Sequence, residues 1–389
     1  QSRRINGKLE RFIPAATIEF GTTIPDWIPN PAPEISTKVS IDGSQRDISK
    51  QGDGVQRAVM IAMFESLVPD REYLEGIYVP DPELGETENR ERFDETLTQI
   101  PAMIISIEEP EIYQHPVRAR AFGRTLYELS TQANAQVIIA THSPYFVHPK
   151  QFESIRRFSL QEGCTTCKSS TFTQIAHICN IVEPNIRRIV DLHLPTTFSE
   201  GFFSDKVALV EGVTDKAVLE AIADKMDMPF DCNGVSMLAM NGKDGMQIPY
   251  QILETLEIPA YIVVDGDSLS AQRKHPRNLT KQTNSDNTIR TSTEGVIAWL
   301  PAPTNTVIGH YPYTYRDPSI ITDKFTFWCD DIESELENWT SFKIALTAIG
   351  GTLRSDKNLQ IYRQAVMEAD IDDIPETLKK CVEAIIVTQ

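Results

Sequence analysis

Two stretches of the chain alternate short apolar runs with segments of helical period. In the first, AMIISIEEPE and AQVIIATHSP are apolar runs of strand length, and a helical pattern runs from about Pro116 to Gln132 between them. Buried strands joined through a helix predict a parallel sheet. In the second, VALVEG, GVSMLAM and AYIVVDGDS read as strands, separated by the helical segments DKAVLEAIADKM and GMQIPYQILETLE. This second alternation predicts an independent α/β unit. Near the start, TIEF and KVSI read as strands around the loop DWIPNPAPE. SKQGDGVQRAVMIAMFESL then opens on a Gly-Asp-Gly turn into a helix with apolar residues at Val55, Val59, Met63 and Leu67. Residues 69–99 are acidic and polar and predict a weakly ordered or helical excursion. Residues 150–200 predict a strand hairpin and a linker. The tail holds a β stretch, KFTFWCDDIESEL, and then helices. The predicted fold class is α/β, in two domains divided at 200/201, with no internal repeat.

Composition narrows the picture. A chain of 389 residues exceeds one ordinary core. No apolar run approaches the ~18–20 residues that span a bilayer, and QSRRINGKLERF lacks the apolar core of a signal peptide. Six cysteines in this length predict a reducing, cytoplasmic setting. Cys164, Cys167, His177 and Cys179 do not match a standard zinc spacing, so a turn between two strands is the preferred reading of the CxxC. The formal net charge of -18 speaks against broad nucleic-acid binding unless divalent ions neutralise clustered carboxylates. One polar segment runs against that charge, with Arg273, Lys274, His275, Arg277, Lys281 and Arg290. Contact with DNA and a solvated loop are both open for it.

The carboxylates carry the chemistry. Glu211 ends an apolar strand, and Asp215 falls in the first turn of the next helix, where an acid is well placed. Asp265 and Asp267 end another apolar strand and share one face of it. Carboxylates at strand C-termini of an α/β sheet face the crevice where ligands bind. Close acids repel unless a cation lies between them. Oxygen donors of this kind suit Mg²⁺ or Mn²⁺, and two such ions cleave phosphodiesters. Asp331 and Glu333, after FTFWC, are candidates for a second metal position, with Asp330 and Glu335 weaker ones. Lys357 is a candidate for neutralising charge on the phosphate, or equally a surface lysine.

EGxxD after one strand and DGD after a later one resemble the Toprim domain of topoisomerases, primases and several nucleases. The resemblance covers roughly residues 200–389. MNGKDGM is similar to the turn after the second Toprim strand, which places Asn241, Gly242 and Lys243 near the site, with Lys243 a candidate DNA contact.

The first unit resembles the C-terminal part of an ABC-type ATPase. IISIEEPE resembles a Walker B strand, which implies Mg²⁺ support by Glu108 and water polarisation by Glu109. His142, directly after the next strand, resembles the switch histidine. SKQGDGVQR resembles the signature loop, with Ser49, Gly52 and Gly54 as the ATP-contacting positions. No P-loop pattern GxxxxGK[ST] occurs. The expectation is therefore a missing N-terminal half, and no ATP hydrolysis by this chain alone.

ATPase and Toprim in this order resemble the OLD (overcoming lysogenisation defect) family and the Gabija and retron-associated anti-phage effectors. That resemblance implies a DNA endonuclease with two divalent ions per site, ATP as regulator of the full-length protein, and a homodimer or larger homo-oligomer. It also implies a helicase or other defence-system partner, and no membrane. Two rivals remain at this point. One is a topoisomerase- or primase-like enzyme, which would need a DNA-gate tyrosine domain or a zinc domain. The other is an ATP-controlled recombination-repair clamp without nuclease activity.

Overall fold

The computed structural model describes all residues except 1, 10–12, 14–15, 24–33, 68–74, 77, 99–102, 133–134, 313–316, 355–357 and 388–389. The loop DWIPNPAP and Lys357 therefore lie outside the described residues. The chain divides into two compact units, residues 1–146 and 147–389.

In the first unit, β1 (Thr17–Thr23), β2 (Glu34–Ile41) and β3 (Ser44–Asp47) form an antiparallel sheet. Asp42 and Gly43 join β2 to β3 with φ of 50° and 78°. Two left-handed residues match the twist of a two-residue hairpin. The helix Ser2–Leu9 and the helix Asp53–Leu67 close this sheet around Ile5, Leu9, Ile18, Val39, Val59 and Ala62. β4 (Met103–Glu108) and β5 (Ala135–Ala140) pair in parallel and are joined through the helix Pro116–Ser130. Ile105 and Ile107 pack on Phe122, Leu126 and Leu129 of that helix and on Ile61. The sequence predicted both strands as buried, but only one face is covered among the described residues. Ile104 is 66% exposed and Ile138 51%. The acidic excursion contains a helix, Glu86–Thr98, tied down where Asn89 bonds the backbone of Asp81 and Leu84.

The second unit opens with the hairpin β6 (Arg157–Gln161) and β7 (Cys164–Lys168). The turn is Glu162–Gly163, and both cysteines are exposed on the strand after it. Among the described residues no three His, Cys, Asp or Glu side chains are grouped to hold a metal. A five-stranded sheet follows. Its members are β8 (Lys206–Val210), β9 (Val235–Ala239), β10 (Ala260–Asp265), β11 (Ile320–Ile321) and β12 (Phe325–Trp328). The order is β11-β12-β10-β8-β9, and every pairing is parallel except that of β11. Helices cover both faces, which is why all five residues of β8 are buried and read as one apolar run. One face holds Val207, Leu209, Ile262 and Phe327, the other Val210, Tyr261, Val263 and Trp328. The helices Phe172–Cys179 and Glu183–His193 pack on the first of these faces through Phe172, Ile175, Ile186 and Val190. Residues 147–200 thus pack with the second unit, whereas the sequence predicted a boundary at 200/201.

Candidate active site

The chain runs from β8 outward to β9 and then back across to β10, so the switch point of the sheet lies between β8 and β10. Ligands of open α/β sheets bind in the crevice at that point. Val210 pairs with Val263, so Glu211 and Asp265 both leave the C-terminal edge of neighbouring strands. Glu211 Oε1 accepts the Asp265 N–H at 2.9 Å. Burial pushes the Glu211 carboxyl up to about 8, with the charges of Asp267 and Asp215 adding to the rise and Lys243 opposing it. Burial also raises the Asp265 carboxyl well above the usual range, reinforced by Glu211, Asp215, Asp267 and Asp331.

Gly266 lets the next residues turn. A Cβ there would lie 2.5 Å from the Cys329 carbonyl and 2.6 Å from that of Trp328, so only glycine allows the β10 end to approach β12 this closely. Asp267 adopts a left-handed φ of 57°. Its carboxylate meets Lys243 Nζ at 2.7 Å. Lys243 is 6% exposed and also donates to the Asp265 carbonyl at 2.9 Å and Thr293 Oγ1 at 3.1 Å. The structure thus corrects Lys243 as a DNA contact: it is a buried counter-cation of the site. Asp215 is 7% exposed and its Oδ2 accepts the Gly212 N–H at 2.7 Å, bracing the turn that carries Glu211.

The third segment starts after β12. Asp330 is fully buried and takes hydrogen bonds from the Leu269 N–H and from Ser334 Oγ, and an ion pair from Arg273. It fastens the DGD turn to the helix Ile332–Leu336. Asp331 caps that helix and is paired with both Arg273 and Arg354. Burial raises the Asp331 carboxyl, but the Arg354 hydrogen bond and the two guanidinium charges outweigh it and hold it below its usual range. Glu333 is 6% exposed. Asp265, Asp267, Asp331 and Glu333 border one open cleft of about 400 Å³ together with Ser270, Arg273, Lys274 and Arg354. Arg273, expected on a DNA-facing surface, is turned toward Asp330 and Asp331. Arg277 and Lys281 are exposed, Lys281 on the helix Leu279–Ile297. Sequence reasoning missed Arg354, because nothing in LRSD distinguishes it.

The donor set fits a divalent cation. It is all oxygen, the hard-ion choice, and burial and the charges of four neighbouring acids act together on the Asp265 carboxyl. As they stand, no three of the described acids are grouped around a common point; Glu211, Asp215, Asp265 and Asp267 are the residues that would hold the ion.

In the first unit the parallel register of β4 and β5 places Glu108 opposite Ala140. Glu109 follows in a left-handed conformation, φ 45°, and its N–H donates to the Ala140 carbonyl at 2.7 Å. His142 Nε2 lies 3.7 Å from Glu109 Oε1. Glu111 accepts from Thr141 Oγ1 at 2.7 Å and from the His142 N–H at 2.9 Å. Arg57, on the helix after Gly52 and Gly54, donates to the Glu109 carbonyl at 2.8 Å. A Cβ at Gly54 would lie 3.6 Å from the Tyr113 carbonyl, while one at Gly52 would meet open space. Ser49 is held by Asp47 at the start of this turn.

Two family models match. Residues 202–267 match the "Overcoming lysogenization defect protein-like, TOPRIM domain", and residues 4–147 match the "AAA ATPase domain". Residues 4–147 are thus similar to an AAA ATPase domain and residues 202–267 to an OLD-like Toprim domain. It is 25% identical over 229 residues to the OLD nuclease of Thermus scotoductus, covering 57% of this chain and 37% of that protein. It is 25% identical over 273 residues to the Old nuclease of Escherichia phage P2, covering 68% and 42%. A third relative, endonuclease GajA of Bacillus cereus, is 29% identical over 202 residues, covering 46% and 28%. The chain thus spans less than half the length of each. The C-terminal region of the Burkholderia pseudomallei OLD protein aligns with 47% of this chain and 97% of that one, at 14% identity and a TM-score of 0.31, an overlap too slight to define the fold. No described helix is long and apolar enough to cross a membrane.

Proposed function

We propose that the Toprim unit is the cleaving part of a divalent-metal-dependent DNA endonuclease, and that the ATPase segment regulates it in the full-length protein. The observation that carries this reading is the meeting of Glu211, Asp265 and Asp267 at the switch point of the sheet, with the Asp265 carboxyl raised by burial and by the charges of four acids. The names of the nuclease relatives support the same reaction class. Mg²⁺ or Mn²⁺, two per site, would activate a water and stabilise the leaving oxygen of a phosphodiester. Glu211, Asp215, Asp265 and Asp267 would hold the first ion, and Asp331 with Glu333 the second. Asp215 holds the Glu211 turn, and Lys243 holds Asp267 against the β10 end. Lys274, Arg277 and Lys281 offer the DNA backbone exposed cations, and Lys357 remains the candidate for charge on the phosphate. Glu108, Glu109 and His142 face ATP in the same proposal, with Ser49, Gly52 and Gly54 capping the nucleotide of a second copy. The working form is then a homodimer or larger homo-oligomer, in anti-phage defence or DNA processing, alongside a helicase or other defence-system partner.

Supercoiled plasmid tests this. The chain relaxes or linearises it with Mg²⁺ or Mn²⁺ and leaves it intact with EDTA, and Asp265→Ala falls to background. Plasmid untouched under every metal condition, or undiminished cutting by Asp265→Ala, would sink the proposal.

A further inference from the structure

The Asp331 carboxylate has no room for a cation as its neighbours stand. Oδ1 accepts from Arg354 Nη2 at 2.8 Å, from the Ser334 N–H at 2.9 Å and from Ser334 Oγ at 2.9 Å. Oδ2 accepts from Arg354 Nη1 at 2.5 Å and from Arg273 Nη2 at 2.8 Å. A carboxylate offers about four lone-pair sites, so these donors saturate it. Three of the bonds come from the two guanidinium groups. Both groups border the cleft that holds Asp265 and Asp267, and their side chains are 31% and 24% exposed, so solvent and ligand reach them. Each has a second anchor if it leaves Asp331. Arg273 keeps the buried Asp330, and Arg354 keeps Glu337 at 3.0 Å.

We propose that Arg273 and Arg354 form a latch. They close the second metal position, Asp331 with Glu333, until a phosphodiester backbone enters the cleft and draws them off Asp331. The inference rests on the metal-dependent reading above. Its chemistry is exchange of one oxyanion for another. A guanidinium fork fits a phosphate bidentately as well as it fits a carboxylate. A duplex carries a row of phosphates into a cleft already lined by acids, where the freed Asp331 needs a new counter-cation. Phosphate favours the open arrangement and the metal takes only the open arrangement, so the two bind with reciprocal positive coupling. The first position, at Glu211, Asp215, Asp265 and Asp267, is outside the latch and fills without DNA.

Counting bound Mn²⁺ by electron paramagnetic resonance on the whole chain tests this without reading cleavage. Wild type is expected to take one tight equivalent alone. A second appears with a short phosphodiester duplex, after subtraction of Mn²⁺ held by the duplex itself. It does not appear with a methylphosphonate duplex, whose backbone is uncharged. The double variant Arg273→Met/Arg354→Met is expected to take the second equivalent without DNA, roughly five- to a hundredfold more tightly than wild type, the range of ordinary coupling between two ligands. Asp331→Asn never takes it. Two equivalents in wild type regardless of DNA overturn the latch and leave the metal reading standing. So does a single equivalent in the double variant if its circular dichroism is native. No tight Mn²⁺ under any condition overturns both.

Discussion

Glu211 is an acid that the fold keeps from ionising. Burial pushes its carboxyl up to about 8, against an ordinary 4.5. The folded chain therefore keeps a proton that the unfolded chain releases. The stability this contributes is full below the unfolded value and is lost as pH rises from there toward about 8. The melting temperature of the metal-free chain should thus fall from about pH 5 to about pH 8. Glu211→Gln should flatten that slope, and Mg²⁺ should flatten it in wild type. Parallel slopes in wild type and variant would remove Glu211 from the account. At this scale much of the site was legible. Glu211, Asp265 and Asp267 announce themselves because each ends an apolar run, and polar atoms at a buried strand end need a purpose. Lys243 and Arg354 were not legible in their roles. MNGKDGM placed Lys243 near the site as a DNA contact, whereas one partner that receives it, Thr293, lies 50 residues further along. Asp331 read as the stronger candidate of two adjacent acids and Asp330 as the weaker. The fold adds that Asp330 staples segments together while Asp331 borders the cleft.

At the scale of elements, the helix Leu279–Ile297 stands apart. Only Thr293 and Val296 of it are buried. Residues 273–290 hold five basic residues, Arg273, Lys274, Arg277, Lys281 and Arg290, against Asp286 alone, in a chain of net charge -18. Such a segment is where a polyanion would gather. Replacing Lys274, Arg277 and Lys281 with alanine should weaken duplex binding and lower the salt slope by about 0.9 for each phosphate no longer neutralised. An unchanged slope in fluorescence-anisotropy titrations would place the DNA elsewhere. The sequence did not reveal this element as a helix. Its Thr, Ser and Asn favour competing local bonds, and it has no apolar stripe. What starts it is a cap, Asn278 accepting the Lys281 N–H at 3.0 Å. The β4–β5 pair erred in the other direction. Two apolar runs predicted burial on both faces, yet among the described residues a single layer of helices covers them.

Across the whole molecule, the alternation of strands and helices foretold the parallel sheet, because strands buried on both faces lose their polar positions. The position of the domain boundary was hidden, because a hairpin and two amphipathic helices look the same whether they link or pack. Phe152, Phe172, Ile175, Ile186, Val190 and Phe198 share a core with Val207, Leu209 and Ile262. A fragment of residues 147–389 should therefore melt cooperatively, and one of 201–389 should aggregate or melt well below it. Equal calorimetric transitions would return the boundary to 200/201. The same sheet ends, beyond β12, on Ile320 and Ile321 alone, running against their neighbour. An incoming strand finds there a template of two residues with reversed polarity. That brevity is a guard against edge-to-edge polymerisation, so on this side copies of the unit can crowd together without their sheets fusing.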